Sequence, residues 1–127
     1  LIEGLVAILI FSLGVLALIG LQVNSVRQSS NAKYRSDAAL VANRLIGEMW
    51  VTDRLVANMQ ANFQAGGPQY ITWAAAVQAA LPGSTGANAP TVTVAADGQV
   101  TITVFWKAPN EQLADPVHSY TTIARIQ

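Results

Sequence analysis

Residues 1–21, LIEGLVAILIFSLGVLALIGL, constrain this chain more than any other stretch. Glu3 is the one ionisable residue in the run, and Ser12 adds its only other polar side chain. As a single helix the segment would be about 30 Å long, which matches the hydrocarbon core of a bilayer. Its apolar residues surround the helix instead of following one face, so it belongs in lipid or in a bundle of similar helices. It is longer than the apolar core of a signal peptide, and no cleavage-like run of small residues follows it, so it reads as a retained anchor. Glu3 is the misfit. A carboxylate inside a membrane helix costs about 3 kcal/mol, and needs either a partner or a place at the helix end from which it reaches the headgroups. Gly4, Gly14 and Gly20 each cost ~1 kcal/mol relative to alanine in a helix interior, so they mark points where the helix can give or pack closely.

From Gln22 the chain turns polar without a break, and no proline occurs before Pro68, so one helix is expected to continue to about residue 65. Its second half carries a stripe. Tyr34, Ala38, Val41, Leu45, Met49, Val56, Met59 and Phe63 recur at helical spacing, while Arg35, Asn43, Gly47, Arg54 and Asn58 lie opposite. The stripe predicts the spine of a head domain. The chain thus divides into an anchor, residues 1–21, and a head, residues 22–127, that includes the second half of the long helix.

Gly66, Gly67 and Pro68 should end that helix. Thr72 is then placed to cap a short helix over 73–81, with Trp73, Val77 and Leu81 on one face, and Pro82-Gly83 should close it. Residues 84–90 read as an exposed loop of small residues. The period then changes from helix to strand. Residues 91–95 and 99–106 alternate threonine with valine or isoleucine around Asp97-Gly98, a hairpin signal. Val92, Val94, Val100, Ile102, Val104 and Trp106 should face the helical stripe, with Thr93, Thr101 and Thr103 outward. Residues 107–119 read as a connecting loop, and 120–126 as a third strand, which a stable sheet needs. Trp50, Trp73 and Trp106 all read as core residues.

Composition excludes several function classes. The formal net charge is zero and charged residues make up 11% of the chain, so there is no concentrated basic face for nucleic acid. With no cysteine, neither a disulfide frame nor a thiolate metal site can form. The spacing of Asp97, Glu111 and Asp115 is not that of a calcium loop, and no phosphate-cradling glycine motif is present, so neither a metal nor a cofactor is expected. His118, the single histidine, has Asp115 as its nearest acid in sequence and Ser119 beside it, but adjacency does not orient a base, and no catalytic residue is assigned.

Leu1-Ile2-Glu3 followed by an apolar run resembles the processed amino terminus of a type IV pilin, on which reading two residues and a short basic leader precede Leu1. The resemblance implies that Glu3 is the filament-assembly glutamate, pairing with the terminal amine of a neighbouring subunit. Gly20 stands where major pilins usually carry a helix-breaking proline and Ser12 where they carry glycine, so Gly14 and Gly20 become the candidates for helix flexibility. A second stretch, YRSDAALVANRLIGEM at 34–49, resembles the PilV family of minor pilins, the type IV pilus modification proteins. Arg35, Ser36, Ala42, Asn43, Glu48 and Met49 carry that match, and without it Arg44 and Glu48 would simply be an i,i+4 pair on a solvated face. The Trp73 region followed by Leu81-Pro82-Gly83 adds a shorter likeness.

The resemblance implies an α+β pilin fold in which a long N-terminal helix packs on a small antiparallel sheet. The function implied is that of a minor pilin that helps initiate type IV pilus assembly and sits in the tip complex. Its partners would be other minor pilins, the major pilin, a tip adhesin, the inner-membrane assembly platform and a prepilin peptidase. The head would be periplasmic before assembly and extracellular after it, although Arg27, Lys33 and Arg35 alone would favour a cytoplasmic head. A minor pseudopilin of type II secretion shares the same anchor and scaffold. A membrane-tethered adhesive or binding domain that never polymerises is the third reading.

Overall fold

A computed structural model describes residues 1–126. The elements are α1 (Ile2–Val51), α2 (Val56–Phe63), α3 (Pro68–Ala80), a 3-10 turn (Gly86–Asn88), β1 (Thr91–Val94), β2 (Gln99–Trp106) and β3 (His118–Arg125). A long N-terminal helix and a three-stranded antiparallel sheet make this an α+β chain with the elements of a pilin-like fold. It divides into two compact units, Leu1–Ala32 and the remainder from Lys33 onward, and α1 contributes to both.

The first unit is helix alone. α1 runs through Gly14 and Gly20 without interruption, and a side chain at either position would meet nothing within 4 Å. Ser12 turns its hydroxyl inward and donates to the Ile8 carbonyl at 2.8 Å, which hides its polarity against the helix's own backbone.

The second unit is built round one core. The stripe predicted from helical spacing is buried as expected: Ala38, Leu45, Met49, Met59 and Phe63 are sealed, with Tyr34 and Val56 packed at the margin. Each fully buried leucine, valine or phenylalanine contributes about 1.5–3 kcal/mol relative to exposure. The expected single helix to residue 65 is not formed, because α1 ends at Val51 and α2 begins at Val56. The break is made by side chains that offer the backbone other partners. Thr52 donates to the Met49 carbonyl at 3.3 Å, and the Asp53 carboxylate accepts the Leu55 N–H at 3.0 Å as well as the Asn58 amide. Leu55 itself is extended, at φ −63° and ψ 132°. Since Met49, Val56, Met59 and Phe63 all reach the same core, their spacing passes across the break without registering it.

α3 begins at Pro68, not at Trp73 as expected, because proline's fixed φ and missing N–H suit the first turn of a helix. Thr72 therefore lies inside α3, where its hydroxyl donates to the Pro68 carbonyl at 3.2 Å instead of capping. The preceding glycines have separate tasks. Gly66 turns the chain at φ +88°, and a Cβ on Gly67 would collide with the backbone of Ala61 and Asn62.

In the sheet, β1 pairs with β2 from Thr91↔Thr103 to Val94↔Val100, and β2 with β3 from Gln99↔Arg125 to Trp106↔His118. The predicted inward face is buried, comprising Val92, Val94, Val100, Ile102, Val104 and Trp106. β1 stops at Val94, one residue short of expectation, and β3 runs from His118 to Arg125 where 120–126 was expected. The Trp106↔His118 pair extends the ladder at one end. At the other, Ile126 leaves the strand yet stays buried and donates to the Gly98 carbonyl at 3.0 Å. Residues 84–90 are less exposed than expected: Ser84 and Pro90 are fully buried. The Lys107 N–H donates to the Pro82 carbonyl at 2.9 Å, drawing this turn against the end of β2.

The edge of β1 is closed by α2. Gln60 donates its amide to the Val94 carbonyl at 2.8 Å, and Gln64 accepts the Val94 N–H at 2.8 Å, so both outward backbone groups of that residue are satisfied. Trp73 ties α3 to α1 by donating from Nε1 to the Val41 carbonyl at 2.8 Å in the buried core.

Candidate functional site

Two sets of residues are singled out by sequence, and they fall in different units. Glu3 belongs to the first and stands in the opening turn of α1, where a carboxylate complements the positive end of the helix dipole. It is exposed, and no ion pair among the described residues reaches it. The apolar side chains around it are exposed as well, including Ile2, Leu5, Ile8, Leu9 and Phe11. Among the described residues α1 is the helix long and apolar enough to cross a membrane, and none of its most apolar stretch is buried. None of the described residues covers this apolar surface.

The six residues at 35–49 belong to the second unit and divide by face. Ala42 and Met49 are fully buried in the core, whereas Arg35, Ser36 and Asn43 are exposed and Glu48 is half-buried. Arg44 Nε lies 3.5 Å from Glu48 Oε1, forming the i,i+4 pair that the spacing allows. Both side chains are open to water, so the pair contributes at most ~0.5 kcal/mol. Trp50, expected in the core, is 44% exposed. It follows Met49 by one residue, which turns it about 100° round the helix, and the Arg54 guanidinium sits 5.7 Å from its ring centre. Trp73 and Trp106 are buried as expected.

The loop between β2 and β3 holds the polar arrangement that sequence order concealed. His118 Nε2 lies 2.6 Å from Glu111 Oε1, so its partner is Glu111 and not Asp115, the nearer acid in sequence. The imidazole stacks on the Trp106 indole, with ring centres 5.7 Å apart and planes at 22°. Trp106 Nε1 and Glu111 Oε2 are both buried without a hydrogen-bond partner, as is Ser84 Oγ. Asp115 serves the loop backbone by accepting the Gln112 N–H at 2.9 Å. Lys107 places its ammonium on the Leu113 and Asp115 carbonyls at 2.9 and 2.8 Å. This loop is an organised cap, and the cross-strand pair Trp106↔His118 is the signal that would have revealed it.

Two titrations are perturbed in the head. The Leu55 N–H and then the Asn58 amide, both bound to Asp53, hold its carboxyl below the usual range, and burial pushes the Tyr70 phenol up. Tyr70 donates its hydroxyl to the Pro90 carbonyl at 2.6 Å, fastening α3 to the start of β1. Among the described residues no group of three His, Asp or Glu side chains is arranged to hold a metal ion.

The site-bearing elements define a class: an α+β chain whose N-terminal helix is apolar enough to anchor in a membrane and leads into a small sheet-bearing head. Comparison with protein-family models, with curated proteins and with solved structures finds no match for this chain.

Proposed function

We propose that this chain is a minor pilin, a structural subunit that helps initiate type IV pilus assembly and forms part of the pilus tip complex. The observation that carries the reading is Glu3, a lone carboxylate at the start of a helix whose apolar first half is exposed. Lipid covers such a helix in the membrane but offers no counter-charge, whereas a bundle of like helices covers it equally well and can present a neighbour's terminal amine to Glu3. Assembly then exchanges lipid contacts for helix contacts, and the amine pairing sets the register between subunits. The resemblance of residues 34–49 to PilV is what favours the pilus over the type II secretion machine.

On this reading a prepilin peptidase exposes the amino terminus and the inner-membrane assembly platform extracts the subunit from the bilayer. Other minor pilins, the major pilin and a tip adhesin surround it in the filament. The head is periplasmic before assembly and extracellular afterwards. Crosslinking of the full-length membrane form followed by mass spectrometry tests the partners: minor pilins and a tip adhesin are expected, whereas pseudopilins would move the chain to type II secretion. Glu3→Ala tests the mechanism. It should leave head stability unchanged while incorporation into filaments is lost, and normal incorporation would sink the amine pairing.

A further inference from the structure

We infer that Glu111, His118 and Trp106 form a protonation-gated clasp, which holds the first half of the β2–β3 loop closed while His118 is charged and releases it when His118 is neutral. The clasp begins with an unbalanced carboxylate. The Glu111 side chain is only 15% exposed; one oxygen meets His118 and the other is buried without a partner. A buried carboxylate is costly unless a charge and hydrogen bonds compensate it.

Among the described residues the available cations narrow to one. From β2, Trp106 faces the imidazole, and the adjacent Lys107 has its ammonium committed to the carbonyls of Leu113 and Asp115. From the loop, Glu111 faces it, while the Asp115 carboxylate is engaged by the Gln112 N–H. From β3 itself, Tyr120 follows on the same face, and Arg125 is paired with Asp97 at the far end of the strand. When it carries a proton, His118 is therefore the side chain placed to balance Glu111.

Imidazole is the side chain whose charge changes in the range of about pH 5–8. When His118 gives its proton to solvent, Glu111 keeps at most a neutral hydrogen bond, and hydration becomes the cheaper state for its carboxylate. The loop can supply that hydration because its two halves are held differently. Leu113 and Asp115 remain tethered to Lys107 at any charge state of His118, whereas the Glu111 backbone is bound through its own N–H to the Ala108 carbonyl at 3.1 Å. The turn 108–111 is the part that opens, giving the Glu111 carboxylate to water.

Amide exchange followed by NMR on the full chain in detergent micelles, corrected for the intrinsic pH dependence of exchange, tests the clasp. As pH rises from about 5 to 8, protection at the Glu111 amide should fall by about tenfold or more, the equivalent of one charge-assisted hydrogen bond. The Asp115 amide, in the Lys107-tethered half, should keep its protection. Glu111→Gln carries no charge to be left uncompensated, so its loop should show no such transition. Flat protection at Glu111 in the native chain, or the same transition persisting in Glu111→Gln, overturns the proposal.

Discussion

The first and second halves of α1 are one continuous helix with opposite ways of being stable. Residues up to Ser29 are exposed on every face, and no described residue covers them. Past Lys33 the same helix buries Ala38, Val41, Ala42, Leu45 and Met49 against the sheet and the shorter helices. The first half is an apolar surface without cover among the described residues, long and apolar enough to cross a membrane. The second half carries its own solvent-excluded core. The difference shows why helical content alone says little here: backbone hydrogen bonds are the same in both halves, and side-chain burial is what separates them.

The largest effect that would sharpen this contrast is a cavity in the head. Leu45 is fully buried, so Leu45→Ala should cost the head about 2–5 kcal/mol, read from denaturant or thermal unfolding of the chain in micelles. Leu9→Ala removes the same atoms from the same helix at a position 60% exposed, and should leave that unfolding transition where it was. Equal destabilisation by both variants would erase the distinction between the halves.

Next in size is the tie between α3 and α1. Trp73→Phe keeps most of the ring's volume but leaves the Val41 carbonyl without its indole donor, and should cost about 1–3 kcal/mol. A cost below that range would mean that packing alone holds α3 on the helix, and Trp73→Leu would then separate ring volume from the hydrogen bond.

Unbroken apolarity made the first half of α1 readable, the Asp97-Gly98 turn signal the hairpin, and periodicity the buried stripe and the inward face of the sheet. What escaped were local contests decided by single side chains. Thr52 and Asp53 end α1 through hydrogen bonds that no apolar pattern records. Pro68 begins α3 where the glycines before it read only as an ending. The His118–Glu111 pair joins residues whose proximity depends on how the β2–β3 loop closes, and Asp115, nearer in sequence, is occupied with the backbone. Of the candidate assembly residues, Glu3 stood out because a charge in an apolar run is conspicuous. In the 35–49 set, the burial of Ala42 and Met49 follows from their helical phase, while Arg35, Ser36 and Asn43 sit on the exposed side where spacing predicts no partner.

The smallest effect lies where the two-helix character of the head is decided, at Asp53. Its carboxylate is fully exposed and accepts the Leu55 N–H and the Asn58 amide, interactions that favour the charged form and hold its pKa below the usual value. A lowered folded-state value contributes stability that is complete above the unfolded value, about 3.9, and is lost as pH falls through that point toward the folded one. Asp53→Ala should therefore shift unfolding less than either core variant, with the difference from native greatest near neutral pH and shrinking as the solution is acidified below about pH 4. The Leu55 amide should exchange faster in the variant. If Asp53→Ala instead stabilises the head and protects residues 52–55, an unbroken α1 is what the local sequence prefers, and these side-chain hydrogen bonds are what divide the helix in two.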